Sequence, residues 1–160
     1  MSLNARVRDE SGSALVELAL IFTVLVLVIV GAIDLGRVFT TSTALVNASR
    51  AGAQYGAANP GHSTQTATMV TTAVGSVNLS GVTAVASRTC QCATDAGVLS
   101  ATRPVANDCT TSPTTTCPTG HRVITVTVSA SRTFRMVIGR PPGIPDAQTV
   151  TRTTSLRVTE

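Results

Sequence analysis

From Leu18 to Ile33 the chain reads LALIFTVLVLVIVGAI without one charge, and extension back to Ala14 gives 20 residues broken only by Glu17. A helix of that length spans about 30 Å, the hydrocarbon thickness of a bilayer. A core helix of a soluble protein would carry a polar stripe at helical spacing, and none occurs here before Asp34. The segment is therefore read as membrane-inserting, and three fates follow for it. A secretory signal peptide would be cut after Ala32, where Val30 and Ala32 form a small-residue site, although the apolar stretch is long for that. An uncleaved signal anchor would orient on Arg6 and Arg8, which Asp9 and Glu10 cancel, while Arg37 lies just beyond the other end. The third fate is a leader cut upstream of the apolar stretch, leaving the hydrophobic helix as the mature N-terminus. The residues around Gly12 favour it.

Gly12-Ser13-Ala14-Leu15-Val16-Glu17-Leu18 places a Gly after a short hydrophilic leader and a Glu as the fifth residue beyond it. This resembles the processing site of type IV pilin-like precursors, which a prepilin peptidase cuts after the Gly on the cytoplasmic side. More narrowly, the chain is similar to the TadE family of pseudopilins from tight-adherence pilus systems. The similarity continues through Asp34-Leu35-Gly36-Arg37 and the stretch from Ala44 to Tyr55, ALVNASRAGAQY, and covers about residues 11–58. Leu18 stands where major pilins of this class have an aromatic residue, which points to a minor component.

The resemblance implies a leader over residues 1–12, cleavage between Gly12 and Ser13, and an assembly helix over residues 13–34. It also implies a platform in the bacterial inner membrane, with other pilins and pseudopilins as partners and the C-terminal domain on the periplasmic or extracellular side. Surface adhesion is the expected outcome. Independently of the family, a carboxylate in a membrane helix costs about 2.5–3.5 kcal/mol at the bilayer centre and is usually paired. Cleavage after Gly12 would create an α-amine on Ser13, about 6 Å along the axis from Glu17. In pilins such a Glu matches the N-terminal amine of an adjacent subunit, and the resemblance implies that role for Glu17. A Glu snorkelling to the cytoplasmic interface is the alternative.

Beyond the membrane, Leu35, Val38, Phe39, Ser42, Leu45, Val46, Ser49, Gly52, Ala53 and Gly56 recur at three- and four-residue steps as far as the breaker Asn59-Pro60-Gly61. One helix from Ser13 to about Ala58 is expected, with residues 35–59 as its amphipathic continuation. Ala48, Ala51, Gly52, Ala53 and Gly56 would let another backbone approach closely. Residues 60–160 are expected to form a small α+β domain. A short second helix runs from Ser63 to Ser76 on Ala67, Val70, Ala73, Val74 and Val77, with Ser63 as its cap. Strands are expected over Val82–Thr89, Arg122–Phe134 and Val150–Val158, the second with strict alternation between apolar and hydroxyl residues. The fold class is then α+β and pilin-like, a long helix packed on a three-stranded antiparallel sheet. The apolar-tipped, proline-rich connection from Met136 to Pro145 is expected to fold over the end of the sheet.

All four cysteines, Cys90, Cys92, Cys109 and Cys117, fall within a Thr, Ser and Pro-rich loop over residues 90–120. Beyond an export-type segment an even count points to two disulfides, with the pairing left open and Cys90 to Cys92 the least comfortable choice. The C-x-C spacing and the unequal gaps after it do not match paired zinc knuckles, so no metal is expected. Disulfides place the domain outside the cytosol.

Only His62 and His121 are available as histidines, both read as surface residues, and the acids past the membrane form no pair suited to acid and base work. With no phosphate-binding glycine loop either, no enzymatic activity and no cofactor are expected. Aromatics are 2% of the chain and the twelve basic residues, all Arg, form no dense run, which argues against a specific nucleic-acid partner. From Thr41 onward nine arginines face four acids, a basic surface able to meet lipid headgroups or acidic polymers without specificity. The competing reading is a signal-anchored or secreted ligand-binding, adhesin-like module that never joins a filament.

Overall fold

In the computed structural model the described residues are 4–94, 96–99, 120–135 and 147–158, with side chains described from Gly12 onward. One helix, α1 (Asn4–Ala57), runs without interruption through the leader, the apolar stretch and the segment beyond. It is about 80 Å long. The helix starts upstream of the expected Ser13, since nothing between Asn4 and Gly12 breaks it and one Gly costs a helix only about 1 kcal/mol. A 3-10 turn (His62–Thr64) and a short helix, α2 (Thr66–Gly75), follow. Three strands then complete the fold: β1 (Val82–Ala93), β2 (His121–Arg135) and β3 (Ala147–Val158). The sheet is antiparallel in the order β1-β2-β3, so the chain is α+β as expected.

Period-two alternation in β2 decides how the sheet sits. Ile124, Val126, Val128 and Ala130 are buried on one face, which packs on α1 and α2. The intervening residues build a hydroxyl surface on the other face. Thr83 pairs with Ser131 at 2.9 Å, Thr127 with Ser155 at 2.9 Å, Ser129 with Thr153 at 2.8 Å and Thr133 with Thr149 at 2.8 Å. Cross-strand Thr and Ser pairs of this kind stabilise a sheet by tenths of a kcal/mol each, without charge.

The face of α1 that meets the sheet begins at Thr41 and continues through Leu45, Ala48, Ser49, Gly52, Ala53 and Gly56, all buried. Leu35 and Phe39, expected on this stripe, are exposed, because the head ends before it reaches them. The core falls into two clusters. Leu45 and Ala48 meet Val82 and Ala130 near the membrane end, and Ala53 meets Met69, Ala73, Ile124, Val126, Val128 and Val158 at the far end. Inside the interface Ser49 Oγ and Thr154 Oγ1 lie 2.7 Å apart, so the buried hydroxyl is satisfied.

Small residues set the spacing. A Cβ on Gly52 would lie 2.7 Å from the Met69 carbonyl oxygen and 3.0 Å from Ala73 Cβ, so α2 rests directly on the α1 backbone. Met69 is fully buried and fills the centre of this contact, whereas Ala67, expected on the apolar face of α2, is exposed. Ser63 does not cap α2 as expected. Its hydroxyl donates to the Pro60 carbonyl at 2.6 Å inside the 3-10 turn, and the cap position is Gln65, which makes no side-chain cap. Gln65 Oε1 accepts instead from the Tyr55 hydroxyl at 2.6 Å. His62, expected on the surface, is half-buried and stacks on Tyr55 with centroids 4.4 Å apart, fastening the turn to the end of α1. Gly120, which opens β2, has φ +89°, and a Cβ there would run into the Ala93 carbonyl oxygen. Only Gly fits that position.

Candidate functional site

Along the axis of α1 the chain divides into a segment that packs on no other described element and a segment that carries the head. Leu15, Leu20, Phe22, Leu25, Val28 and Ile33 are all more than half exposed, and apolar residues face every side of the helix. A helix apolar all round finds its partners in lipid or in other apolar helices. The stretch is long and apolar enough to cross a membrane, and it fits a single-pass anchor. Thr23 does not spoil it, since its hydroxyl donates to the Ala19 carbonyl at 2.9 Å and needs no outside partner.

At the start of this stretch the expected site residues come together. Gly12, Ser13, Val16, Glu17 and Leu20 line one patch of the helix surface, because positions four apart stack on the same face. Gly12 has no neighbour within 4 Å of where a Cβ would stand, and Ser13 and Glu17 are exposed. Among the described residues no hydrogen bond or ion pair engages Glu17. At the other end of the apolar stretch Asp34 and Arg37 form an i,i+3 ion pair at 3.5 Å. It is worth a few tenths of a kcal/mol and marks the exit from the apolar region.

The remaining candidates lie at the far end of the head. Cys90 and Cys92, expected in the loop, instead lie on the core-facing side of β1, opposite Ile124 and Arg122, because the pairing with β2 continues to Ala93, and each is disulfide-bonded. Neither is a thiolate available to a metal. Cys109 and Cys117 lie outside the described residues, as do most of the connection they belong to and the segment Met136–Pro145. Reduction of the native protein is expected to cost about 2–4 kcal/mol per bond and to lower the thermal midpoint followed by circular dichroism. An unchanged midpoint would show that the bonds do not brace the sheet.

One group at this end escaped the sequence reading. Arg88 is half-buried on β1, its Nε has no hydrogen-bond partner among the described residues, and burial, then the positive charge of Arg122, lowers its pKa from the ordinary Arg value. No sequence signal marks it, because the register of β1 on β2 alone brings the two cations near one another. His121 is exposed at the start of β2.

Residues 12–54 match the family model of the TadE-like proteins. No curated protein and no solved structure matches the chain. The match begins at Gly12, runs through the apolar stretch and ends within the buried face of α1, before α2 and the sheet. Over the apolar helix and its junction with the head the chain is thus similar to the TadE-like proteins.

Proposed function

We propose that this chain is a minor pilin, or pseudopilin, of a tight-adherence pilus, processed after Gly12 by a prepilin peptidase and drawn from the inner membrane into the assembly by its platform. The observation that carries the reading is the patch shared by Gly12, Ser13 and Glu17 at the head of a helix exposed and apolar on every side. Cleavage there removes residues 1–12 and leaves a charged amine on the face that holds the carboxylate. An apolar helix that slides from lipid into a bundle of like helices keeps its apolar contacts, so the membrane-to-filament transfer is driven by packing and by polar pairing. Glu17 on one subunit and the Ser13 amine on its neighbour supply that pairing. The domain boundaries follow: residues 13–34 for insertion and assembly, residues 35–59 as the stalk, and residues 60–160 as the periplasmic or extracellular head. The head takes part in adhesion, and its role is assembly and contact, with no catalysis.

The test is the N-terminus and intact mass of the native protein, taken from its own membrane and sheared surface fractions without reducing agent. A chain that begins at Ser13 is the expected result. A chain that begins at Met1 would make this a simple anchored module, and one that begins at Ile33 a secreted domain; either removes the assembly role of Glu17.

A further inference from the structure

We infer that the membrane-facing end of the head is a docking surface for anionic phospholipid, built from Arg132, Arg135 and Arg152 on the sheet with Arg37 on the stalk. The inference rests on the apolar helix being inserted in a membrane, and it is independent of cleavage after Gly12.

The direction of the strands places these residues. At its start β2 lies against the far end of α1, with Ile124 in the cluster of Ala53, and at its end it lies near the membrane, with Ala130 in the cluster of Leu45. Two hydrogen bonds fix the level. Arg132 Nη1 donates to Thr41 Oγ1 at 3.5 Å, and Arg152 Nε donates to Ser42 Oγ at 2.9 Å. Thr41 is seven residues past Asp34, so this level stands about 10 Å beyond the end of the apolar stretch. From Arg132, β2 continues for three more residues to Arg135, opposite Ala147, about 10 Å further along a strand that runs toward the membrane end. Arg37 lies on the same band of the stalk, half exposed.

The charge in this band is one-sided. Among the described residues its only carboxylate is that of Asp34, bonded to Arg37 at 3.5 Å. Between Arg135 and Ala147 the sequence adds Arg140 and Asp146, which cancel formally. The headgroup layer is about 5–8 Å deep on each side of the hydrocarbon, and screening at physiological salt acts over about 8 Å. Arginines at this height are within reach of lipid phosphates, and the planar guanidinium suits a phosphate through two parallel hydrogen bonds. Thr41 takes up one donor of Arg132, and Ser42 and the Thr151 carbonyl, the latter from Nη1 at 3.1 Å, take up two of Arg152, which orients both groups and leaves each with further donors for a phosphate. Arg135 is exposed and makes no hydrogen bond among the described residues.

A fluorescent reporter tests this in the full chain. The protein contains no tryptophan, so Thr149→Trp, at an exposed site opposite Thr133 and diagonal to Arg135, gives a single donor. The variant is inserted into vesicles of phosphatidylcholine alone, or of phosphatidylcholine with phosphatidylglycerol, each carrying a dansyl-labelled lipid. Energy transfer is expected to be higher in the anionic vesicles and to fall to the neutral level in high salt. Arg135→Gln, which breaks no contact with the helix, is expected to lower the ratio of docked to free heads about fivefold, and Arg135→Lys to restore most of it. The triple variant Arg132→Gln, Arg135→Gln, Arg152→Gln is expected to abolish the difference between the two vesicle types.

Equal transfer in neutral and anionic vesicles, or no response to Arg135→Gln, would overturn the inference. So would a requirement for the same arginines in binding an acidic protein with no dependence on lipid charge. Failure of the chain to resist alkaline extraction from either vesicle would instead refute membrane insertion itself, and this is read separately.

Discussion

Gly52→Val is expected to separate α2 from the stalk and to cost at least about 3 kcal/mol, the upper range for an overpacked core. The first added carbon already stands 2.7 Å from the Met69 carbonyl oxygen, 3.0 Å from Ala73 Cβ and 3.2 Å from Val128 Cγ1. A backbone oxygen in a helix cannot turn away, so α2 must move as a body, and Met69 and Ala73 leave the core with it. Replacing Gly in a helix removes a penalty of about 1 kcal/mol, which the collision outweighs. Gly56→Ala supplies the contrast. There the new carbon meets only the Met69 side chain, at 2.6 Å from Sδ and 2.8 Å from Cε, and a flexible thioether re-seats at little cost. Thermal unfolding of the two variants followed by circular dichroism should therefore differ by several degrees. Equal midpoints for Gly52→Val and the unmodified protein would mean that α2 does not rest on this face.

Glu17→Val should leave processing intact while at least about tenfold less of the protein co-purifies with other pilus subunits. Removal of one member of an ion pair shielded from water typically costs 2–5 kcal/mol of association, because the other charge is left unmatched. The same change relieves the insertion penalty of the carboxylate, so the variant should be held in the membrane at least as firmly as the natural chain. A general insertion defect would lower both retention and association, whereas loss of pairing lowers association alone. Unchanged co-purification would refute the pairing role of Glu17.

Much of this architecture is legible in the chain, because it rests on periodicity and on breakers. The uncharged run from Leu18 to Ile33, the stop at Asn59-Pro60-Gly61 and the alternation from Val123 to Ala130 each have one physical solution, and all three appear as expected. The misses share a cause, which is that local pattern carries no record of tertiary neighbours. Leu35 and Phe39 have the spacing of a buried stripe, yet the head packs only from Thr41 onward. Ser63 is a good cap by type, but its hydroxyl is taken by Pro60, and Gln65 is taken by Tyr55. Met69 was missed as the centre of the core because its neighbours Val70 and Val74 fit an apolar face equally well, and only the gap left by Gly52 and Gly56 selects it. At the candidate site, Ser13 and Glu17 could be read from spacing, since helical geometry alone puts them, four residues apart, on one face. The arginines at the foot of the sheet could not, since register and strand direction gather them from distant parts of the chain.

The way the head lies along the stalk has a mechanical consequence. From Leu45 to Ala53 α1 and β2 run in opposite chain directions past one another, so traction on the N-terminal end of the helix loads this interface partly in shear. Under such shear the contacts of Leu45, Ala48, Gly52 and Ala53 resist together, whereas a pull at right angles would open them one after another like a zip. The close seat of α2 across Gly52 acts as a key in a slot. If the chain joins a pilus as proposed, this joint would let it carry tension without first unfolding.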